Sequence, residues 1–356
     1  MPRLRRSNCH GPGYTRRRAG RGFVYLDANG ARITDEVTIT RIRSLVLPPA
    51  WQDVWICMGP NGHIQATGTD ARGRTQYRYH DAWRVAQDRE KFDHMIEFGR
   101  ALPVLRQRIV ALLVESDGLT RDRVLACSVR LLDLGFFRIG SDTYAETNQT
   151  YGPATLQKRH ARVSGDTVTF DFVAKGSKRR LQSIVDSDVA ALIATLKGRR
   201  GGGTDLLAYR DDRGRWVDMH SDDINDFVRR IGGLTCSAKD FRTWNATVLA
   251  AVALAVGDAA VSPRSRQRCV ARAMKEVAHY LGNTPAVVRS SYVDPRLVDR
   301  YMHGETIVDA APAWGDGVEF GHPATQGAAE AAVLKLLDPE GRTGEGAHDA
   351  ARRLSA

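Results

Sequence analysis

Tyr280-Leu-Gly-Asn-Thr-Pro-Ala-Val-Val-Arg-Ser-Ser-Tyr-Val-Asp-Pro295 sets what this chain is expected to be. Gly282-Asn283 closes an apolar helical run, as a helix C-cap does, and Tyr292 stands before Val-Asp-Pro. On its own such a tyrosine is a half-buried aromatic at a helix end. Upstream, however, lie three isolated basic residues in non-repetitive settings: Arg138, Lys175 and Arg242. That set suits attack on a phosphodiester without a metal. The arginines neutralise the phosphate, the lysine protonates the departing oxygen and the phenol attacks. If the four converge in space, the chain cuts DNA and stores the broken bond on itself.

Composition agrees with a nucleic-acid partner. The chain has 356 residues, 42% of them hydrophobic, enough for two domains with their own cores. Its formal charge is +11. From Glu305 onward nine acidic residues face four basic ones, a net of −5, which leaves +16 on residues 1–304. Such a balance favours a polyanion, and no basic amphipathic helix points to a membrane surface. Cys9, Cys57, Cys127, Cys236 and Cys269 are scattered, odd in number and without a Cys-x-x-Cys pair. Neither a zinc site nor a disulfide framework is indicated, and a reducing, cytoplasmic setting follows. No apolar run reaches membrane-spanning length, and the arginine-rich start lacks the apolar core of a signal peptide.

Residues 1–22 hold seven arginines and no acid, but Gly11-Pro12-Gly13 and the strand-like Gly22-Phe-Val-Tyr-Leu26 place them in a folded domain. Up to about Asp88, short apolar runs alternate with turn signals. Val54–Cys57 and His63–Thr67 form an expected hairpin around Pro60-Asn61-Gly62. From Arg84 to Leu134 apolar residues recur at helical spacing. Lys158–Val163 and Thr167–Val173 read as a hairpin around Ser164-Gly165-Asp166, and the turn Ala174–Lys178 leads into Arg179–Val185. Helices are expected at 188–196, 221–231, 241–256 and 266–281. The fold class is therefore α+β: a small β-rich module over 1–88, then a mainly helical domain over 89–310 with a β-hairpin insert. Residues 311–356, rich in Ala, Gly, Pro and Asp, read as a disordered acidic tail with one possible helix near 328–337.

Gly135-Phe-Phe-Arg-Ile-Gly140 with Tyr151-Gly152, Lys239-Asp-Phe-Arg-Thr-Trp244, and Leu281-Gly-Asn-Thr-Pro285 through Tyr292 together resemble the type IB DNA topoisomerases of the small bacterial and poxviral kind. Gln76-Tyr-Arg-Tyr-His80 and Ile64-Gln-Ala-Thr-Gly68 resemble that family's DNA-clamping domain, so the likeness runs from about Ser7 to Tyr301. It implies the catalytic fold shared with tyrosine recombinases, duplex DNA as partner, action as a monomer at the nucleoid, and no metal or other cofactor. Arg138 and Arg242 become the catalytic arginines, Lys175 the general acid toward the 5′-oxygen, and Tyr292 the nucleophile.

Each of these also has a plainer reading. Arg138 has Asp142 and Glu146 as possible ion-pair partners, Arg242 has Asp240, and Lys175 is a turn lysine with Lys178 three residues on. Lys175 matches the first position of the turn. Asn283 departs from the poxviral pattern, which has histidine there. Its amide can hydrogen-bond a phosphate oxygen but carries no charge. Tyr301 is the nearest rival nucleophile and lacks the nine-residue spacing from Asn283. DNA contacts are expected from Gln76, Tyr77, Arg78 and Tyr79 at base edges, sugars or phosphates, from Lys239, and from Arg16, Arg17 and Arg18 on the backbone.

Two other functions fit parts of this pattern. A tyrosine recombinase would use the same chemistry, but it usually has histidine where this chain has Lys239. An architectural DNA-binding protein on the same scaffold would be expected to have lost the tyrosine or an arginine. No Gly-x-x-x-x-Gly-Lys-Ser/Thr loop is present, in line with a reaction that needs no ATP.

Overall fold

In a computed structural model, residues 3–114, 118–135, 137–140, 145, 149–233, 236–257, 262–313, 325–339 and 341 are described. The chain divides into two compact units, Met1–Phe92 and Asp93–Ala356.

The first unit is built on five antiparallel strands: β1 Tyr14–Ala19, β2 Gly22–Leu26, β3 Gln52–Ile56, β4 Ile64–Thr69 and β5 Thr75–Tyr79, in the order β2-β1-β3-β4-β5. The expected hairpin around Pro60-Asn61-Gly62 is the β3–β4 pair. Helix α1, Glu36–Ser44, sits where only strand-like runs are expected. Val37, Thr38, Ile39, Thr40 and Ile42 favour strands intrinsically. Asp35 overrides them as N-cap by accepting from the Thr38 N–H at 2.8 Å, and the helix buries Ile42 against Val54, Ile56 and Ala66.

Helix α2, Asp81–Val114, begins in the first unit and continues into the second, where α3, Arg121–Gly135, is almost wholly buried. Between Pro153 and Val185 lie two 3₁₀ turns and a three-stranded sheet: β6 Ala161–Ser164, β7 Thr167–Ala174 and β8 Lys178–Val185. Lys158–His160, expected as strand, is the second of those turns. His160 Nδ1 there accepts the Gln157 N–H at 3.1 Å, which ends the extended conformation. Helices α4 Ser187–Gly198 and α5 Ser221–Gly232 flank the short pair β9 Ala208–Arg210 and β10 Trp216–Asp218. Then come α6 Ala238–Ala255, α7 Pro263–Leu281, α8 Pro285–Ser291 and α9 Pro295–Met302. The last three open on proline at the first helical position, where no N–H is needed.

Helix α10, Ala328–Leu337, is the one possible helix that the tail offered, and it is packed rather than solvated. Glu330 is buried and accepts from Trp244 Nε1 at 2.9 Å and from Arg106 Nη1 at 2.6 Å. Arg106 also pairs with the fully buried Asp133 at 2.8 Å. The rest of the acidic tail beyond residue 341 lies outside the described residues.

Candidate active site

Arg138 follows α3 in the segment Phe137–Gly140. Phe137 is buried, edge-on to Phe170 at 5.4 Å and stacked on Phe172 at 5.9 Å, which seats the segment on β7. A Cβ at position 152 would fall 2.1 Å from the Arg138 carbonyl oxygen, so only glycine lets the two backbones meet. The Tyr151 N–H then bonds Val173 O at 2.8 Å, and the Ala154 N–H bonds Ile139 O at 2.8 Å. Asp142 and Glu146, the acids of an ion-pair reading of Arg138, lie outside the described residues.

Arg242 stands at the start of the second turn of α6 and is buried, 4% exposed. Its Nη2 donates to Leu281 O at the end of α7, and its guanidinium carbon lies 5.3 Å from the centre of the Tyr292 ring. Burial first, then repulsion from Arg138, pushes its pKa down to about 10, so it keeps its charge at neutral pH. Asp240, the alternative partner, is occupied otherwise. It accepts the Ser237 N–H at 2.8 Å at the start of α6 and lies 3.5 Å from His94.

Asn283 follows Gly282, whose φ of 62° ends α7 in a left-handed cap with the Asn283 N–H on Ala278 O at 3.1 Å. Asn283 Oδ1 accepts from Arg138 Nη2. A guanidinium has only donors, so the amide oxygen must face Arg138; the buried NH₂ has no hydrogen-bond partner of its own among the described residues and lies within electrostatic reach of the Tyr292 phenol.

Tyr292 closes α8, its N–H on Val288 O at 3.0 Å. Its own carbonyl and the Asp294 N–H both meet Thr247 Oγ1 at 3.2 Å, which ties the tyrosine's backbone to the helix that carries Arg242. Burial raises the phenol's pKa. Arg242 beside the ring, the donor groups of Arg242 and Asn283, and the charge of Arg138 outweigh it and bring the pKa below the ordinary value. Tyr301 is the opposite case. It is buried, shares a hydrogen bond with Cys269, and its pKa rises to about 12.

Lys175 is exposed at the β7–β8 tip. With Arg138, Arg242, Lys178 and Arg180 it lines one pocket, together with Phe137, Phe172 and Gly282, and among the described residues its lining includes no acid. The structure thus brings Arg138, Arg242, Asn283 and Tyr292 into one connected cluster with Lys175 at the mouth of the adjoining pocket. Two contributors are absent from the sequence-based set, Arg180 and Thr247. No motif marks the threonine. The arginine is masked by its neighbours in Lys178-Arg179-Arg180.

The expected DNA contacts divide. Lys239 is exposed in the first turn of α6. In the first unit Arg17 and Arg18 are exposed, whereas Arg16 is engaged by the protein itself. Its guanidinium donates to Leu47 O, Pro48 O and Trp51 O at 2.8–3.2 Å and stacks on Phe23. Arg78 likewise bonds Leu45 O, Tyr79 O and Asp81, so both contribute to the fold of their unit. Gln76 donates to Asp70 at 3.0 Å, and Tyr77 and Tyr79 stack at 6.0 Å with Tyr77 half exposed.

Two family models match the chain: the eukaryotic DNA topoisomerase I catalytic core over residues 80–303, and the bacterial DNA topoisomerase IB N-terminal domain over residues 22–70. The DNA topoisomerase 1B of Acanthamoeba polyphaga mimivirus is 28% identical over 304 residues, 82% of this chain and 88% of that protein. The DNA topoisomerase 1B of vaccinia virus (strain Copenhagen) is 24% identical over 236 residues, 65% of this chain and 70% of its own length. The DNA topoisomerase 1 of Mycosarcoma maydis is 26% identical over 196 residues, 49% of this chain and 19% of the fungal protein. Among the described residues, no helix is long and apolar enough to cross a membrane.

Proposed function

Because this chain belongs to the DNA topoisomerase I family by its catalytic core, we propose that it relaxes positive and negative supercoils by cutting and resealing one strand of duplex DNA through Tyr292. The observation that carries this reading is the Arg138–Asn283 and Arg242–Tyr292 cluster around a phenol that ionises more easily than usual.

Tyr292 Oη attacks the scissile phosphorus and loses its proton. The P–O5′ bond breaks, and Lys175 donates a proton to the departing 5′-oxygen. The products are a 3′-phosphotyrosyl bond and a free 5′-hydroxyl. Arg138 and Arg242 each present a planar fork of donors to the non-bridging oxygens, whose charge grows in the transition state. The Asn283 NH₂, oriented by the bond between its oxygen and Arg138, adds one neutral donor on the side of the attacking phenol. After rotation of the free end, the 5′-hydroxyl attacks the phosphotyrosine and Tyr292 leaves. The bond energy stays in the covalent link, so the cycle consumes no ATP and every charge it requires comes from side chains. The whole cluster lies between residues 138 and 292 of one chain, which supports action as a monomer on DNA at the nucleoid.

The test is relaxation of supercoiled plasmid in EDTA without ATP. The intact protein is expected to relax it, and Tyr292→Phe to bind DNA without relaxing it. Equal relaxation by both proteins would remove Tyr292 as nucleophile.

A further inference from the structure

Three consecutive carbonyls end helix α7, and two arginines from different elements take them up. Arg242 of α6 holds Leu281 O. Arg180 of β8 holds the other two, donating from Nη2 to Tyr280 O at 2.6 Å and from Nη1 to His279 O at 3.3 Å. The last carbonyls of a helix lack intrahelical partners and carry the negative end of its dipole, so a guanidinium that bridges two of them is well held. The next residues are Gly282 and Asn283. A Cβ at 282 would come within 3.2 Å of Arg180 Nη1, and glycine leaves that approach open.

Arg180 is also the point where the Lys175 hairpin is fastened to this helix. It pairs across the strands with the buried Phe172, while Lys175 through Arg179 are exposed. Gly176 at φ 81° and Ser177 at φ 57° form the tight turn that carries Lys175. A flexible ammonium on an exposed turn delivers its proton efficiently only if that turn is held in place. We propose that Arg180 is a positioning residue for proton delivery: it latches the Lys175 hairpin to the C-terminal end of α7 and so fixes the lysine relative to Asn283 and Tyr292. This rests on the assignment of Lys175 as general acid, and the test separates the two.

Single-turnover formation of the covalent complex is measured on two DNA duplexes, one with an ordinary scissile phosphate and one with sulfur replacing the bridging 5′-oxygen. A thiolate leaves without protonation, because its conjugate acid is far more acidic than an alcohol. On the oxygen substrate Arg180→Ala is expected to slow cleavage about 10²-fold, within the range that general-acid catalysis supplies. On the sulfur substrate it is expected to approach the intact enzyme. Arg180→Lys, which can bridge the two carbonyls less well, is expected to fall between and keeps the test open if the alanine variant folds poorly. Lys175→Ala is the reference. If sulfur does not rescue it, the assignment of Lys175 fails. If sulfur rescues Lys175→Ala but leaves Arg180→Ala slow, Arg180 acts on the phosphate or the fold and the latch is wrong. DNA affinity in a Tyr292→Phe background is the second readout. A loss on adding Arg180→Ala would likewise overturn the proposal in favour of a direct phosphate contact.

Discussion

Tyr292 gives up its proton more easily than a free phenol because two arginines and an asparagine favour the phenolate more than burial disfavours it. The sign fixes a pH dependence. A depressed pKa means that the phenolate fraction, and with it the rate of covalent complex formation, rises with pH with its midpoint below about 10, the ordinary tyrosine value. Removing a donor to the phenolate must shift that rise upward. Asn283→Ala is therefore expected to move the alkaline rise to higher pH and to slow cleavage about 10²-fold, the usual cost of one donor to a developing oxyanion. A mutant profile that only scales down without shifting would mean that Asn283 serves the phosphate and not the phenol. By the same linkage, the stability gained from this depression is present above the unfolded value near 10 and is lost as pH falls through the folded value. At neutral pH it is absent, which makes Tyr292→Phe a clean probe of chemistry. These residues were legible because each sits in a distinctive local setting. Arg180 was not. Strand alternation guided by hydrophobicity turns Leu181 inward and Arg180 outward, and the structure does the reverse, with Leu181 72% exposed. A lone apolar residue on a strand cannot outweigh two helix-end carbonyls.

At the level of elements, the turn from α7 to α8 decides where the nucleophile points, and α6 supports it from below. Thr247 is the joint. Its hydroxyl accepts the Asp294 N–H and has one proton for either Tyr292 O at 3.2 Å or Thr243 O at 3.1 Å. Thr247→Val keeps the shape and removes both functions, leaving a buried N–H and carbonyl unpaired. The expected cost is about 1–3 kcal/mol of stability, read as a lower denaturant midpoint. Cleavage should also fall, while DNA binding is unchanged. Unaltered cleavage at single turnover would show that α8 places Tyr292 without help from α6. Element boundaries were read well where turn chemistry is local, as at Ser164-Gly165-Asp166 and at the end of α7. Helix α1 was missed because a single capping aspartate and one buried isoleucine reversed the preference of a β-branched run.

Across the whole molecule, the helix at 328–337 matters most beyond residue 303, where the match to the catalytic core ends. Composition there resembles a solvated tail, since alanine and glycine dominate and acids exceed bases. What folds α10 is invisible to composition: Glu330 is buried and meets Trp244, two residues from Arg242, and Arg106. Arg106 is shared with Asp133, which burial alone would neutralise but which Arg106 and Arg130 keep ionised, with its pKa lowered. Such a depressed carboxyl stabilises the fold above the unfolded value near 3.9 and ceases to do so as pH falls through its folded value, so this network is expected to fail in acid. Truncation gives a sharper test. Ending the chain at residue 341 should leave melting and relaxation unchanged. Ending it at 313 takes away one of the two carboxylates that hold Arg106, leaving Asp133, and unpairs the Trp244 indole N–H. Losing buried hydrogen bonds of this kind costs about 1–3 kcal/mol. The shorter chain should therefore melt well below the longer one. Its relaxation should fail first on warming, since α6 holds both Trp244 and Arg242. Glu330→Gln isolates the charge: it keeps one acceptor for the indole, so it should lose less than Glu330→Ala. Equal melting of the 313 and 341 chains would return α10 to the status of a passive tail.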